Sequence, residues 1–219
     1  MFKVSVVLLE NFKELDIRES ILEASYGLFH KYGIRSVSMD DIARELTISK
    51  KTIYQYFKDK DDLVSTVTKK QMDMERREIE EIEKSSVDAI DELAKMSVCV
   101  RKNLKEINPS LLFDLQKYHR KAWNIWTTFK NDFIKNNIVK NLNKGIRDGF
   151  FRKEINVEVL AIFRVEQVQM AFDDNIYPKD KFELTELQMQ LFDHFVYGLL
   201  TDKGRCLYKD YQEKLHRTN

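Results

Sequence analysis

The residues with the clearest chemical potential lie in one short segment in the first third of the chain. Lys50, Lys51 and Lys58 could neutralise phosphates and release their counterions. Gln55, which lies between them, can pair with adenine through two hydrogen bonds in a DNA major groove. No carboxylate interrupts this segment before Asp59. The combination favours contact with a nucleic acid, although the solvated face of an ordinary helix would also be polar.

A predicted helix must carry these groups on one of its two sides. At about 100° per residue, Ile53, Tyr56 and Phe57 fall on one side, and the lysines and Gln55 fall on the other. The apolar side should pack against the rest of the protein. We therefore expect the polar side, which also includes Tyr54, to face outward.

A second helix should begin shortly before this one. Ser38 can cap it with Asp41 as the capping-box partner, and Ser49 can cap the helix that carries the lysines. Apolar residues repeat along one face of the earlier helix: Met39, Ile42, Ala43 and Leu46. Two caps this close leave only a short turn. That is the geometry of a helix-turn-helix, whose second helix enters the major groove.

Residues 18–63 resemble the N-terminal domain of the TetR family of bacterial transcriptional regulators. The matching residues are Ile21, Leu22, Ala24, Leu28, Phe29, Gly33, Ile42, Ala43, Ile48, Ser49, Thr52, Tyr54, Tyr56, Phe57, Lys60 and Leu63. The run ISKKTIYQYFKDKDDL is the most recognisable segment of that family. A later stretch, residues 145–156, resembles a turn that is common before the last two helices of such regulators.

This resemblance implies an all-α homodimer with a three-helix DNA-binding domain and a C-terminal helical domain for effector binding and dimerisation. It also implies repression of a double-stranded DNA operator that a small hydrophobic effector relieves, although the same contacts would serve an activator. The predicted DNA-contacting residues are Ser38, Ser49, Lys50, Lys51, Thr52, Tyr54, Gln55, Tyr56 and Lys60.

Two positions depart from the pattern of the family. Thr47 stands in the turn where most members have glycine, and Lys51 stands where most have a small residue. A positive φ at Thr47 would cost about 1–2 kcal/mol for a β-branched residue. We therefore expect a slightly different turn here.

Composition limits the class of protein. Of 219 residues, 43% are hydrophobic, and only six glycines and two prolines are present, which favours helices. The net charge of +1 argues against a protein that coats polyanions generally. Cys99 and Cys206 lack the spacing of a metal site, and we expect no metal or cofactor. Two cysteines without such spacing also indicate a reducing, cytoplasmic compartment. The apolar run at residues 4–9 is too short to form the core of a signal peptide or to span a membrane.

The pattern predicts four segments. Residues 1–15 should form an N-terminal extension packed on the first helix, 16–63 the DNA-binding domain, 64–204 the effector-binding and dimerisation domain, and 205–219 a C-terminal tail. The first helix should run from a cap at Asp16 to Gly33, and a long helix from Lys60 to about Lys84 should join the domains. Gly204 is expected to end the last helix.

Two further sets of residues are candidates for binding. An aromatic stretch and two later residues could line a pocket for an apolar molecule: Phe113, Tyr118, His119, Trp123, Trp126, Phe163 and Met170. The last two predicted helices, 156–173 and 185–201, carry broad apolar faces that indicate a dimer interface at Leu160, Leu191, Phe195 and Leu199. Both sets could instead belong to the core of a monomer.

Two other classes of function remain open. An enzyme is disfavoured because the chain has no glycine-rich phosphate loop and no HExxH pair, and its four histidines are scattered. A helical protein of this fold that acts mainly by binding another protein is the stronger alternative. Salt-dependent binding to duplex DNA separates that alternative from a DNA-binding regulator.

Overall fold

The computed structural model describes residues 2–105 and 107–218, with side chains from 16 to 105 and from 107 to 214. The α-helices are α1 (Phe2–Tyr32), α2 (Met39–Glu45), α3 (Lys50–Tyr56), α4 (Lys60–Ser85), α5 (Ala89–Leu104), α6 (Leu111–Tyr118), α7 (Arg120–Thr128), α8 (Lys135–Arg147), α9 (Val157–Met170), α10 (Leu184–Leu199) and α11 (Asp202–Thr218). A π-helix spans Phe129–Ile134. The predicted all-α class is confirmed, and no β-strand occurs within the described ranges.

The described residues form two compact units. The first comprises residues 2–71 and 107–125, and the second comprises residues 72–105 and 126–218. The helix that begins at Lys60, predicted to be long and continuous, supplies residues to both units. No helix in the described part of the chain is both long enough and apolar enough to span a membrane.

The first unit is built around α1, α2 and α3, which pack on one another. Its core consists of apolar residues from these helices, from the turns between them and from the start of α4: Ile21, Leu22, Phe29, Ile34, Val37, Met39, Ile42, Ala43, Ile53, Phe57, Leu63, Val64 and Val67. The predicted capping box is present, because Asp41 N donates to Ser38 Oγ and Ser38 N donates to Asp41 Oδ2. These contacts fix where α2 begins.

The first helix is longer than predicted. It begins at Phe2 instead of at a cap on Asp16, so residues 2–15 continue the helix and do not pack on it as an extension. This segment contains no glycine or proline to interrupt a helix that is already formed. The predicted end is confirmed: α1 stops at Tyr32, and Gly33 follows with φ of 81°.

Thr47 occupies the strained position in the turn between α2 and α3. Its φ is 55°, so the expectation of a different turn is wrong. Ile48 N donates to Ala43 O at 3.0 Å across this position, which is the closing bond of a Schellman cap and requires a left-handed residue. The chain keeps the turn geometry and accepts a β-branched residue in it.

We expect Thr47→Gly to raise the free energy of unfolding by roughly 0.5–1 kcal/mol. Glycine removes the steric cost of positive φ, and its greater freedom in the unfolded chain offsets part of that gain. Urea unfolding followed by circular dichroism measures the difference. Thr47→Ala is the control, because it keeps a Cβ at this φ and should stabilise the protein less. Equal stability of the two variants would contradict the assignment of strain.

The second unit packs α5 against α8, α10 and α11. Asn156 caps α9, and α10 begins at Leu184, one residue before the start of the predicted helix 185–201. The carboxylate of Glu183 caps α10 by accepting from Thr185 N and Glu186 N. Gly204 does not end a helix. It lies within α11, whose Tyr208 is fully buried in the core of this unit.

Candidate functional site

The outward side of α3 carries the groups that the sequence singles out. Lys50, Lys51, Tyr54 and Gln55 are exposed, whereas Ile53 is fully buried. The predicted division of this helix into a polar and an apolar side is confirmed. Tyr54 presents 44% of its surface to solvent, so an aromatic ring with a hydroxyl lies among the cations.

The serine hydroxyls of the predicted DNA-contacting set are used within the protein. Thr52 N donates to Ser49 Oγ at 3.0 Å, and the hydroxyls of Ser49 and Thr52 lie 2.8 Å apart. Ser38 Oγ lies 2.6 Å from Asp41 Oδ2, and hydrogen bonds from Ser38 lower the pKa of that carboxyl. Both serines fix the starts of their helices, where unpaired backbone N–H groups can meet a phosphate. Thr52 and Tyr56 are half-buried.

Lys50 and Lys51 of the predicted set differ in whether they form an ion pair with an acidic side chain. Lys50 Nζ lies 2.8 Å from Asp40 Oδ2, and this hydrogen bond raises the pKa of Lys50. Lys51 has no ion pair with any residue that the structure describes. An exposed lysine without an acidic partner can turn to a phosphate without breaking an existing contact.

The role of Lys60 as a flanking phosphate contact stays a prediction, and the structure shows a second role for this residue. Its Nζ donates to Ile34 O at 2.6 Å, and burial lowers the pKa of its ammonium group. Lys60 therefore holds the turn before α2 against the start of α4. The sequence pattern contains no signal for this contact, because the two residues are 26 positions apart.

The candidate effector residues fall in both units. Phe113, Tyr118, His119 and Trp123 belong to the first unit; Trp126, Phe163 and Met170 belong to the second. Phe113, Tyr118 and Phe163 are exposed. Two backbone features shift the aromatic positions from simple helical spacing: His119 separates α6 from α7, and the π-helix follows α7. The pocket assignment remains a prediction for this set.

Contacts of α6 and its flanks within the first unit were missed by sequence reasoning. Buried Asp114 accepts a hydrogen bond from Arg35 N at 2.9 Å, and Asn108 N donates to His30 O at 2.7 Å. His119 Nδ1 lies 2.8 Å from Asp61 Oδ1. These contacts join residues 107–125 to the last turn of α1, to the turn before α2 and to the start of α4. All of them connect residues far apart in sequence.

Two of the candidate dimer-interface residues lie in the core of the chain itself. Phe195 is 6% exposed and Leu199 is 1% exposed, and both belong to the core of the second unit, so they offer little surface to a partner. Leu160 and Leu191 are half-buried. Helical spacing identifies residues that share a face, but it does not identify the neighbour that covers the face.

The comparison of sequences places this helix-turn-helix in a known family. The chain matches the family model described as bacterial regulatory proteins, tetR family, over residues 21–67, which hold α2, α3 and parts of α1 and α4. It is 26% identical over 186 residues to YvaF of Bacillus subtilis strain 168, an uncharacterised HTH-type transcriptional regulator. That alignment covers 84% of this chain and 95% of YvaF.

Solved structures share the fold over most of the chain. A transcriptional regulator from Saccharomonospora viridis, solved with choline, has a TM-score of 0.69 at 18% identity, covering 85% of this chain and 98% of its own. FadR of Bacillus subtilis, solved with stearoyl-CoA, has a TM-score of 0.55 at 20% identity, covering 82% and 98%. With the family match over residues 21–67, the chain carries a helix-turn-helix domain of the tetR family of bacterial regulatory proteins and is a DNA-binding transcriptional regulator.

Proposed function

We propose that the protein is a repressor that binds a palindromic operator as a homodimer and is released by a small hydrophobic effector. The observation that carries the proposal is the exposed side of α3, where Lys51, Tyr54 and Gln55 lie together without a carboxylate among them. Lysine and tyrosine can hold the DNA backbone, and glutamine can read an adenine edge.

Dimerisation is supported by the nature of the DNA contact and by an exposed apolar face. One helix-turn-helix reads one half-site, so two copies related by symmetry read a palindrome. On α9, Val159, Ile162 and Phe163 are each about half exposed, and they share the side of the helix that faces away from its own core. We propose this side, with half-buried Leu160 and Leu191, as the dimer interface.

Effector control is supported by two kinds of evidence. The choline and stearoyl-CoA bound to two regulators of the same fold are small molecules, one of them with a long apolar chain. In the first unit, Asp114 and His119 contact the backbone before α2 and the start of α4. A change in α6 would therefore alter the support of the DNA-binding helices, which gives an effector a physical route to the operator.

Selection of binding sites from a library of random duplexes tests this function. We expect the enriched sites to have two-fold symmetry, and we expect sedimentation to give two chains per duplex. A selection that enriches no sequence, or one that enriches single half-sites bound by one chain, would contradict the proposed palindromic operator. If the affinity for duplex DNA did not fall with increasing salt, the alternative function of binding another protein would be favoured.

Lys51→Ala should weaken binding to every duplex by a similar factor. The dimer would lose two phosphate contacts, so the slope of log affinity against log salt should fall by about two units. Fluorescence anisotropy at several salt concentrations measures this slope. Lys69→Ala is the matched control, because Lys69 is an exposed lysine on α4 outside the helix-turn-helix. Equal slopes for the two variants would remove Lys51 from the interface.

A further inference from the structure

Arg164 is a buried cation without an anion beside it among the described residues. It lies on the inward side of α9, where only 5% of its surface is exposed, and its guanidinium stacks on Phe192 at 5.0 Å and on Phe195 at 5.8 Å. Its Nη1 donates to Gln167 Oε1 at 3.0 Å. No carboxylate in the described part of the chain forms an ion pair with it.

This charge persists at neutral pH. Burial lowers the pKa of the Arg164 guanidinium to about 10, which leaves it protonated under physiological conditions. Several N–H donors of a guanidinium require acceptors, and a neutral amide and two aromatic rings supply few of them. Proteins normally pair such a group with a carboxylate or phosphate. The missing counter-charge is the feature that requires an explanation.

Three buried side-chain atoms of the same unit have no hydrogen-bond partner within the described ranges: Trp126 Nε1, Gln188 Oε1 and Asn141 Oδ1, the last of which lies beside α5, where Asn141 Nδ2 donates to Ala89 O. Gln188 Nε2 on α10 donates to Val168 O on α9 at 2.7 Å, but its Oε1 receives no hydrogen bond. Val168 lies one turn after Arg164, so Gln188 and Arg164 belong to the same contact between α9 and α10. Trp126 Nε1 is buried and has no acceptor.

The π-helix brings the aromatic segment to α9. Lys130, in the π-helix, donates to Glu166 at 2.8 Å and to Gln169 at 2.9 Å, and both acceptors belong to α9. Its buried neighbour Phe129 lies 6.4 Å from the ring of Trp126. A π-helix is a rare backbone form that occurs frequently at functional sites.

We propose that the second unit binds an effector with an apolar body and an anionic head group, and that Arg164 pairs with the anion. This inference rests on the proposed function, because it assigns a chemical class to its effector. The aromatic residues of α10 and of the segment around Trp126 would contact the apolar body. The guanidinium would bind the head group through two parallel hydrogen bonds.

An anion is favoured over a neutral head group because the buried Arg164 guanidinium is charged and has no anion beside it among the described residues. Among the described residues, the side chain that accepts from Arg164 is the neutral amide of Gln167, and buried Trp126 Nε1 has no acceptor. A carboxylate or phosphate supplies several acceptor oxygens together with the missing negative charge. A hydroxyl would supply acceptors without that charge.

Thermal unfolding of the full chain with ten-carbon probes tests the proposal. Decanoate and decyl phosphate carry the anion in two forms, and decanol has the same apolar chain without charge. Wild type is compared with Arg164→Met, which keeps an unbranched side chain, and with Arg147→Met, which removes an exposed arginine of the same unit. At about 100 times its dissociation constant, a ligand should raise the midpoint by roughly 5 °C or more.

We expect at least one anion to stabilise wild type and Arg147→Met more than decanol does, and Arg164→Met to lose that advantage. Equal shifts for the anions and decanol in wild type would overturn the proposal, even if Arg164→Met failed to fold. An anion advantage that persisted in Arg164→Met would also overturn it. The kind of anion preferred distinguishes a carboxylate ligand from a phosphate ligand.

Measuring operator affinity with the same compounds distinguishes the proposed anion site from the proposed effector-controlled release. If an anion stabilises the protein through Arg164 but leaves operator affinity unchanged, the anion site stands and effector-controlled release fails. If another compound releases the operator from wild type and from Arg164→Met equally, release stands and the role of Arg164 fails. Stabilisation and release that are both lost in Arg164→Met support both conclusions.

Discussion

Gln55→Ala is expected to remove a large part of the preference for the operator over a site with one changed base pair in each half. Gln55 is exposed on α3 beside Tyr54, where it can reach a base edge once the helix lies in the major groove. A bidentate contact of this kind contributes about 1–3 kcal/mol of discrimination. Because the proposed dimer carries two copies, the expected loss is roughly 2–6 kcal/mol.

Competition between the selected operator and point-mutated duplexes measures this loss. Affinity for unrelated DNA should change little, since that affinity depends on phosphate contacts that Gln55→Ala leaves in place. Gln116→Ala is the matched control, because Gln116 is exposed on α6 within the same unit. A profile of base preference that is identical for Gln55→Ala and wild type would show that Gln55 does not read a base.

The helix-turn-helix could be predicted from sequence because its signals are local. Ser38 and Ser49 lie within three residues of the groups that they cap, and Ile53 lies within one turn of its neighbours on the apolar side. Such contacts depend on helix geometry alone. Even the strained Thr47 follows this logic, because a Schellman cap needs a left-handed residue whatever side chain is present.

Roles that depend on distant neighbours could not be predicted in the same way. A lysine at position 60 suggests a phosphate contact, and nothing in the sequence indicates that its ammonium group donates to Ile34 O. Leu199 has the spacing of an interface residue, but the core of the second unit already covers it. Arg164 lies in an apolar stretch of sequence, where nothing indicates that its charge is buried without a carboxylate among the described residues.

Gly204 also has a role that depends on a distant neighbour, and its substitution is expected to have a large effect on stability. A glycine near the end of an apolar pattern predicts the end of a helix, yet Gly204 lies inside α11. A Cβ at this position would collide with the carbonyl oxygen of Phe150, which is a backbone atom and cannot rotate away. The glycine is needed for close approach of α11, which carries fully buried Tyr208 into the core.

Gly204→Ala should therefore lower the free energy of unfolding by about 2–3 kcal/mol, since either α11 or the backbone at Phe150 must move. Urea unfolding followed by circular dichroism measures the change. Gly27→Ala is the matched control: Gly27 is a helical glycine in α1 with open space where a Cβ would lie, so alanine there should stabilise the protein by roughly 0.5–1 kcal/mol. If both substitutions were stabilising, the close packing of α11 at Phe150 would be wrong. Opposite signs for the same chemical change would show that the packed neighbour, and not helix propensity, determines the effect at residue 204.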